Sequence, residues 1–538
     1  MPARPRKRWA MPAAVALALV PLVASAVALI ARVGDDYLPS ADQAWIELQV
    51  RDIGRRSVLL GPYSRFGWFH PGPILYYLLW LPYRITGSSS LSLCFAALSV
   101  NAAALVGIAL VAKRRGGLPL VLLTLFLTGL LMSSLGAQFF RDVWNPSITI
   151  LPFVLLVLLA WSISCGEAWA LPVGAGVGTF LVQTHVSYGL TTVTVLAAGL
   201  VGAAITRWRR RGADEHRGSI RWWRRMTGVT VVVLAVLWLP VVIQQLTSDD
   251  GNLAALVRFF RDHGREHSYG DAWHVLASQL SVWPDWLRGS IVRNIYSGAL
   301  DLSGPTPVAV AALLLIGAAV ITWRRAKDGF RLDVLVGLTI IAGFVSVSRI
   351  VGEIFPYLVI WTWAVGMLTW LAISWSVVRW WQTHPTPAPW VGRVALGAVA
   401  VALVVVSVVS TVDAARAGNP DVPGSRWVRG LTAKVRDELP DGRGVVEIRS
   451  SGGAGSTWIG AGIADELEHD GIDTRVPPDL AFAYGPDRVL DGERVRLVVL
   501  PAEDAELAAA RRLPCFDDVG RVGKFTLFVR RGPCAAGT

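Results

Sequence analysis

The chain alternates between long apolar runs and short polar segments rich in arginine. The apolar runs consist mainly of Leu, Val, Ala and Ile, and about eleven of them could cross, or nearly cross, a lipid bilayer. The pattern predicts an α-helical polytopic membrane protein. Its spans are expected at 11–30, 89–112, 118–136, 147–165, 170–187, 189–206, 227–245, 306–323, 332–348, 354–377 and 394–412.

The pattern changes after residue 412, where the chain becomes charged and rich in Gly and Pro. Strand-like runs at Val445–Ile448 and 495–500 flank a helical stretch near 458–469. We therefore predict a transmembrane domain over 1–412 and a small extracytoplasmic α/β domain over 413–538. Cys515 and Cys534 both fall in this last segment and are candidates for a disulfide.

Composition excludes several classes of protein. Hydrophobic residues make up 53% of the 538 residues and charged residues only 17%, which excludes an ordinary soluble enzyme. The mean hydropathy is +0.48. The formal net charge of +12 could indicate a nucleic-acid partner, but Lys and Arg are concentrated in the short loops between apolar runs. We therefore predict no nucleic-acid partner.

The basic clusters predict the orientation in the membrane. Arg4, Arg6, Lys7 and Arg8 precede the first run, so the positive-inside rule places the N-terminus in the cytoplasm. A signal peptide cleaved near Ala26 is the alternative and would leave the remaining topology unchanged. High Ala, Arg, Val and Trp with little Lys is typical of a high-GC, actinobacteria-like source, which indicates a bacterial plasma membrane. The outward segments are then 31–88, 137–146, 246–305, 349–353 and the chain from 413 onward.

The first outward segment carries most of the candidate chemistry. Asp35 and Asp36 follow the first span, and Ser40 or Asp42 could cap a helix that carries Glu47 and Arg51. Apolar positions at 45, 46, 48 and 50 predict that this helix lies along the membrane surface. The alternative interpretation of Glu47 is a solvated ion pair with Arg51, four residues later. An aromatic turn and a short juxtamembrane helix over 73–85 follow, and they contain Arg65, Trp68, His70 and Tyr76.

This order of features resembles the polyprenyl-phosphate-dependent glycosyltransferases of the GT-C superfamily, in particular the lipid A aminoarabinose transferases and protein O-mannosyltransferases. The resemblance rests on Asp42-Gln43, the helix from Glu47 to Arg51, His70-Pro71-Gly72-Pro73, Tyr76-Tyr77 and Gly87. Phe66-Gly67-Trp68 is also similar to a turn of the mycobacterial arabinofuranosyltransferases. The chain departs from the commonest pattern by having Gln43 in place of Glu and His70-Pro71-Gly72-Pro73 in place of Lys-Pro-Pro.

The resemblance implies transfer of a sugar from a polyprenyl phosphate to a glycan, lipid or protein of the cell envelope at the outer membrane face. Asp42 would be the general base of an inverting displacement, with Asp35 and Asp36 as the rival base. Asp142 would orient the acceptor or hold a divalent cation, although a local contact with Arg141 or a helix cap explains it equally well. No cofactor is required on this interpretation, and a divalent cation remains open.

The departing phosphate requires positive charge or hydrogen-bond donors, for which membrane lipids would compete. The candidate substrate-binding residues are Arg51, Arg65, His70, Arg141, Glu47, Trp68, Tyr76 and His185. His185 could instead make a helix–helix hydrogen bond.

Two further motifs are discounted. His263-Gly264-Arg265-Glu266-His267 matches a zinc-binding pattern, but Gly264 weakens the helix that this pattern requires. The glycine-rich run 450–457 could offer backbone N–H groups to an anion, but a tight turn is the simpler interpretation. The competing functional classes are a transporter or lipid-linked sugar flippase and an inactive assembly protein.

Overall fold

A computed structural model describes residues 9–209, 216–289, 298–383, 389–439, 444–492 and 494–532. Most of the chain is helical. The α-helices up to residue 416 are α1 Ala10–Arg32, α2 Ala41–Asp52, α3 Ile74–Ile85, α4 Leu91–Leu135, α5 Ala137–Phe140, α6 Asn145–Ile148, α7 Ile150–Ser164, α8 Ala170–Thr184, α9 Tyr188–Arg209, α10 His216–Thr247, α11 Asn252–Asp262, α12 Tyr269–Leu280, α13 Asp285–Arg288, α14 Val310–Thr322, α15 Lys327–Val347, α16 Pro356–Val359, α17 Thr362–Gln382 and α18 Pro389–Arg416.

The C-terminal part adds a mixed arrangement of helices and strands. Its elements are α19 Val422–Asp437, β1 Val445–Ile448, α20 Ala454–His469, β2 Asp473–Arg475, α21 Ala481–Tyr484, β3 Val495–Glu503, α22 Leu507–Ala510, β4 Asp517–Val522 and β5 Phe525–Arg531. Short 3₁₀ helices lie at Gly34–Asp36, Pro478–Leu480 and Pro486–Arg488. The predicted strand β1 and the helix and strand that follow it are confirmed.

The chain is a multi-pass membrane protein. Within the described residues, eight helical segments are long and apolar enough to cross a bilayer, and two shorter apolar helices, α8 and α14, accompany them. Gly117 in α4 has φ +63° and ψ −153°, so the 45-residue helix is two helices joined at a kink. The number of about eleven crossings stays a prediction, as does the orientation, and Arg4 to Arg8 lie outside the described residues.

Two compact units divide the chain. The first contains the chain up to Val27, Ala97–Arg141 and Asn145–Ala417, and the second contains Ala28–Ala96, Asp142–Trp144 and the chain from Gly418 onward. The second unit therefore combines the first predicted outward segment with the C-terminal segment. The division at 412/413 into a catalytic and an external domain stays a prediction.

In the first unit, α7 is fully buried and packs against α8, α9, α15 and α17. Small residues allow close approach, because a Cβ on Gly199 would lie 2.9 Å from the carbonyl oxygen of Ala160. Asp333 lies inside α15, where its carboxylate accepts hydrogen bonds from the hydroxyls of Thr322 and Ser376. These donors satisfy an acidic side chain within an apolar bundle.

The second unit is built on a five-stranded sheet with strand order β2-β1-β3-β5-β4. Strand β1 is parallel to β2 and β3, and α20 connects β1 to β2 as the crossover of a βαβ motif. Strands β5 and β4 extend the sheet in antiparallel pairing. The small α/β domain predicted from the sequence is therefore present, with β3 extending three residues beyond the predicted run.

Helix α2 belongs to the core of the second unit. Ala44, Trp45 and Leu48 pack in one hydrophobic cluster with residues of α19, α20 and the sheet. Eight of the twelve residues of α2 are buried, including Glu47 and Arg51. The apolar positions of α2 therefore contact protein on more than one side, and a helix lying along the membrane surface stays a prediction.

The glycine-rich run forms a turn that ends at the start of α20. Glu506 accepts a hydrogen bond from the hydroxyl of Ser451, and its carboxylate lies against Gly453, the N-cap residue of α20. A carboxylate of the chain thus lies where an external anion would have to bind. Cys534, the predicted disulfide partner of Cys515, lies outside the described residues, so that pairing stays a prediction.

Candidate active site in the first loop

Asp42 lies in the first turn of α2, beside a strained backbone position. Ala41 has φ +51°, a left-handed conformation that costs free energy for any residue other than glycine. Ser40 is the N-cap residue, but its hydroxyl donates to Asp421 Oδ2 over 2.6 Å rather than accepting from the helix. The side chain of Asp421 therefore helps to fix the entry into α2.

The carboxyl group of Asp42 is partly buried and is surrounded by tyrosines and a second acid. Burial raises its pKa to about 6, the neighbouring charge of Asp142 acts in the same direction, and a hydrogen bond from Tyr63 acts against it. Tyr76 is buried close enough for the charge of Asp42 to raise its own pKa. Among the described residues, no arginine or lysine forms an ion pair with Asp42. Its carboxyl group can therefore change protonation near neutral pH.

Gln43 connects the two acids of the site. Its amide Nε2 donates to Asp142 Oδ1 over 3.0 Å, and the backbone N–H of Trp144 donates to the same oxygen over 3.0 Å. A glutamate at position 43 would bring a further negative charge to this oxygen instead of a donor. The departure from the acid pair of the resembling families therefore has a local structural reason, since Gln43 holds Asp142.

Tyr63 is held in place by an aromatic cage. Its ring lies 4.8 Å from the ring of Trp45 and 5.7 Å from that of Phe482, both in edge-on geometry. The turn that carries Tyr63 is closed by a hydrogen bond from the His70 N–H to the Pro62 carbonyl, 2.8 Å long. The hydroxyl that binds Asp42 is therefore fixed by the packing of its own ring.

The same turn places the predicted aromatic and basic residues. Trp68 and His70 are buried, with ring centroids 5.5 Å apart. Arg65 is exposed at the tip, and its guanidinium lies 4.9 Å from the centre of the Phe66 ring. Gly61 must be glycine, because a Cβ there would lie 2.5 Å from the carbonyl oxygen of His70.

Comparisons with known proteins bear on the fold. No protein-family model matches the chain, and no curated protein matches its sequence. Two solved structures of ArnT from Cupriavidus metallidurans, one bound to undecaprenyl phosphate and one in the apo state, match with a TM-score of 0.55. They are 14% and 16% identical to the chain, and each match covers 96% of this chain and 97% of the other. The chain therefore has the fold of these ArnT structures.

A third structure, the arabinofuranosyltransferase AftD from Mycobacteria, matches 98% of the chain and 40% of its own length. Its TM-score is 0.40 and its identity 15%. The resemblance noted from the sequence is confirmed at the level of the fold by the two ArnT structures.

Glu47 and Arg51 lie five and nine residues beyond Asp42 in α2, in a buried network. Arg51 forms ion pairs with Glu47 over 3.2 Å and with Asp465 over 2.9 Å, and its Nε donates to the Tyr83 hydroxyl over 3.2 Å. The Glu47–Arg51 pair is present, but it is buried rather than solvated, with side-chain exposures of 0% and 5%. These contacts occupy the guanidinium of Arg51 that was predicted to bind phosphate.

Asp52, at the end of α2, is part of a second buried ion cluster. Arg488 is fully buried, and its Nη2 donates to Asp52 Oδ1 over 3.0 Å and to Glu468 Oε2 over 2.9 Å. Burial alone would raise the pKa of Glu468, but the charge and hydrogen bonds of Arg488 hold it at about 2.

The rival acids lie in different surroundings. Asp35 and Asp36 are exposed in the 3₁₀ turn Gly34–Asp36, where Arg429 forms an ion pair with Asp36 over 3.1 Å and donates to the Asp35 carbonyl. Neither acid is among the groups that affect the pKa of Asp42.

Two predicted residues belong to the first unit. Arg141 is fully buried, and its Nε donates to Gln138 Oε1 over 2.7 Å. His185 is buried between α8 and α9, where its Nδ1 accepts from the Ser187 N–H over 3.3 Å. Neither assignment as a substrate-binding residue is tested by these contacts.

The residues of the zinc-like motif have separate partners. His263 lies beyond the end of α11 and contacts the Phe259 carbonyl, whereas Glu266 and His267 both bind the backbone of Gly352. Among the described residues, the ligand atoms of these three side chains do not form a group close enough to share one metal ion.

Sequence reasoning missed several residues of the second unit. Tyr63 was part of a quoted turn but was given no role, and Asp421, Asp465, His469 and Arg488 were not singled out. The last four lie more than 370 positions from their partners on α2 or beside it, so local patterns could not reveal them. The one local signal was the spacing of Asp465 and His469, which places both on one face of α20.

Proposed function

We propose that the protein is a membrane glycosyltransferase that moves a sugar from a polyprenyl phosphate to a cell-envelope acceptor at the extracytoplasmic face. The observation that carries the proposal is the group of Asp42, Asp142 and Tyr63 in a chain whose fold matches ArnT over 96% of its length. One of those ArnT structures is bound to undecaprenyl phosphate, which supports the same class of donor here.

Asp42 would act as the general base. An acceptor hydroxyl would lose its proton to the Asp42 carboxylate while its oxygen attacks the anomeric carbon of the donor sugar. The bond from that carbon to the phosphate oxygen would break, and the polyprenyl phosphate would leave with the bonding electrons. A pKa of about 6 suits this step, because the carboxylate is ionised at neutral pH and still basic enough to accept a proton.

Neighbouring groups would position the base and the acceptor. The Tyr63 hydroxyl would orient the Asp42 carboxylate, since its ring is fixed by Trp45 and Phe482. Asp142, held by Gln43 and the Trp144 N–H, would accept a hydrogen bond from a second acceptor hydroxyl. Two fixed carboxylates suit a polyhydroxylated acceptor better than a simple lipid headgroup.

The donor phosphate would be bound by basic groups of the aromatic turn. Arg65 is exposed at the tip of the aromatic turn and His70 lies at its base, so both are candidates for the phosphate. Arg51 is a weaker candidate, because two carboxylates already engage its guanidinium.

A transfer assay tests the proposal. The purified protein in lipid nanodiscs would be given a panel of polyprenyl-phosphate sugars together with cell-envelope acceptors, and product formation would be followed by mass spectrometry. Asp42→Asn should reduce transfer by about 10²-fold or more while leaving the protein folded. The matched control is Asp504→Asn, which removes an exposed acid that is paired with Arg521.

Three results would contradict the proposal. Full activity in Asp42→Asn with loss in Asp36→Asn would assign the base to the rival acid. Movement of a lipid-linked sugar across the bilayer without transfer would indicate a flippase. A cell-envelope phenotype that survives Asp42→Asn would indicate an assembly protein.

A further inference from the structure

We propose that Glu47, Asp465 and His469 form a binding site for a divalent metal ion of the zinc class, separate from the acids that carry the proposed reaction. The three side chains come from two helices, α2 and α20, which pack against each other in the second unit. One ligand atom from each lies within 4.8 Å of the other two. Among the described residues, this is the one group of three such side chains that meets this distance.

The helix α20 presents two of the ligands together. Asp465 and His469 are four residues apart, so both side chains lie on one face of the helix, a spacing that also places paired ligands in helical zinc sites. His469 Nε2 lies 2.9 Å from Glu47 Oε1, which brings the third ligand from α2 to the same face. The imidazole keeps a side-chain exposure of 29%, so solvent can reach the group from that side.

The two oxygens of the Glu47 carboxylate differ in the hydrogen bonds that they accept. Its Oε1 accepts hydrogen bonds from Tyr83, Ser90 and Arg51 and also contacts His469. Its Oε2 is buried and, within the described part of the chain, accepts no hydrogen bond. A buried carboxylate oxygen without a partner costs free energy, and a cation bound to that oxygen would remove the cost.

The charged side chains around Glu47 also favour binding of a cation. Glu47 and Asp465 are two acidic side chains, and the guanidinium of Arg51 contacts both. A metal ion would add positive charge beside this pair of acids, and if it bound Glu47 Oε2 it would also satisfy that oxygen.

The ligand set favours zinc over magnesium or calcium. An imidazole nitrogen with two carboxylate oxygens is a set that Zn²⁺ accepts, with water completing the coordination, whereas Mg²⁺ and Ca²⁺ prefer oxygen ligands alone. The ion would join α2 to α20 on the helix that carries Asp42, so we expect it to stabilise the second unit.

Metal content and thermal unfolding test the site without any activity measurement. The full-length protein would be purified in nanodiscs, stripped with EDTA, dialysed against Zn²⁺ or Mg²⁺, and measured by elemental mass spectrometry. We expect about one Zn²⁺ per chain and an unfolding temperature raised by about 3–8 °C by Zn²⁺ and not by Mg²⁺. His469→Gln should abolish both effects, since it removes the nitrogen ligand at a partly exposed position. The control His263→Gln changes an exposed histidine of the zinc-like motif and should keep both.

The result that overturns the proposal is equally specific. Zn²⁺ below about one tenth per chain after dialysis, or equal Zn²⁺ in His469→Gln and the unmodified protein, would overturn the proposal. If His469→Gln does not fold, X-ray absorption at the zinc edge of the unmodified protein decides, because it must show nitrogen and oxygen ligands and no sulfur. Transfer activity is not part of this test, so its failure and that of the proposed function are distinguishable.

Discussion

The acids near the two ends of α2 have different partners. At the first turn, Asp42 is partly buried without an ion pair in the described chain, and its pKa rises to about 6. Near the last turn lies Glu468 of α20, which shares Arg488 with Asp52, and its pKa is held at about 2. Burial acts on both acids, so the difference comes from the guanidinium.

This contrast separates acids that hold the fold from an acid that can do chemistry. Glu468, which is paired with the buried Arg488, stays ionised over the whole physiological range and cannot accept a proton usefully. An acid that is desolvated without a cation titrates near neutral pH, which a general base requires. The same helix therefore carries a structural end and a reactive end.

The largest expected effect comes from removing the cation at the structural end. Arg488→Met leaves Asp52 and Glu468 buried without their shared partner, and we expect a loss of about 3–5 kcal/mol of unfolding free energy. Thermal unfolding and limited proteolysis of the second unit would measure it. The control Arg429→Met breaks an exposed pair with Asp36 and should cost less than about 1 kcal/mol. Equal losses in both variants would contradict the distinction between the two ends.

The second prediction concerns the free energy of unfolding that is lost when the partly buried Asp42 is ionised. Because the pKa of Asp42 is raised from 3.8 to about 6, its ionised form is less stable in the folded protein than in the unfolded chain. The stability that the protonated form provides is fully present below pH 3.8 and is lost as the pH rises through 6. Asp42→Asn should therefore stabilise the protein at pH 8 by up to about 3 kcal/mol.

Thermal unfolding of both proteins at pH 8 and pH 4 measures this gain, which should disappear at the lower pH. Asp504→Asn, at an exposed ion pair, is the control and should show no such pH-dependent gain. A variant that is less stable than the unmodified protein at pH 8 would show that Asp42 is structural.

Local sequence patterns predicted the helices and strands, but they did not predict how these elements pack together. The apolar runs predicted the spanning helices, and the alternation at Val445–Ile448 predicted β1, because both signals lie within a few turns of the chain. The same reasoning placed α2 on a membrane surface, because its apolar positions are compatible with lipid as well as with a protein core. The contacts of Trp45 and Leu48 with the C-terminal segment could not be predicted in this way.

Local sequence patterns were limited in the same way for the candidate site around Asp42. Asp42, Gln43 and Asp142 could be named because they lie in two outward segments beside predicted spans. The environment that raises the pKa of Asp42 depends on burial and on Tyr63, whose ring is fixed by Phe482 from the distant C-terminal segment. Arg51 was predicted to bind phosphate. Its contact with Asp465 was missed, because the two residues are 414 positions apart and no local pattern reveals the contact.

The third prediction is the pH dependence of transfer. With Asp42 as the base, the carboxylate must be ionised, so kcat/KM should fall about tenfold per pH unit below pH 6 and should be level above it. Initial rates between pH 4.5 and 8 in nanodiscs measure the profile, with unfolding controls at each pH. A level profile down to pH 4.5 would exclude a base with a raised pKa.

The smallest expected effect comes from the hydrogen bond between Tyr63 and Asp42. Tyr63 binds the ionised form of Asp42 and thereby lowers its pKa, so Tyr63→Phe should move the midpoint of the pH profile upward by about 0.5–1 unit. The ring contacts with Trp45 and Phe482 are kept in this variant, so folding should be unaffected. Tyr77→Phe is the matched control, because its hydroxyl donates to the Val58 carbonyl and not to Asp42. A midpoint that moves downward in Tyr63→Phe would mean that the hydroxyl favours the protonated acid, and the assignment of Tyr63 as the group that orients the carboxylate would be wrong.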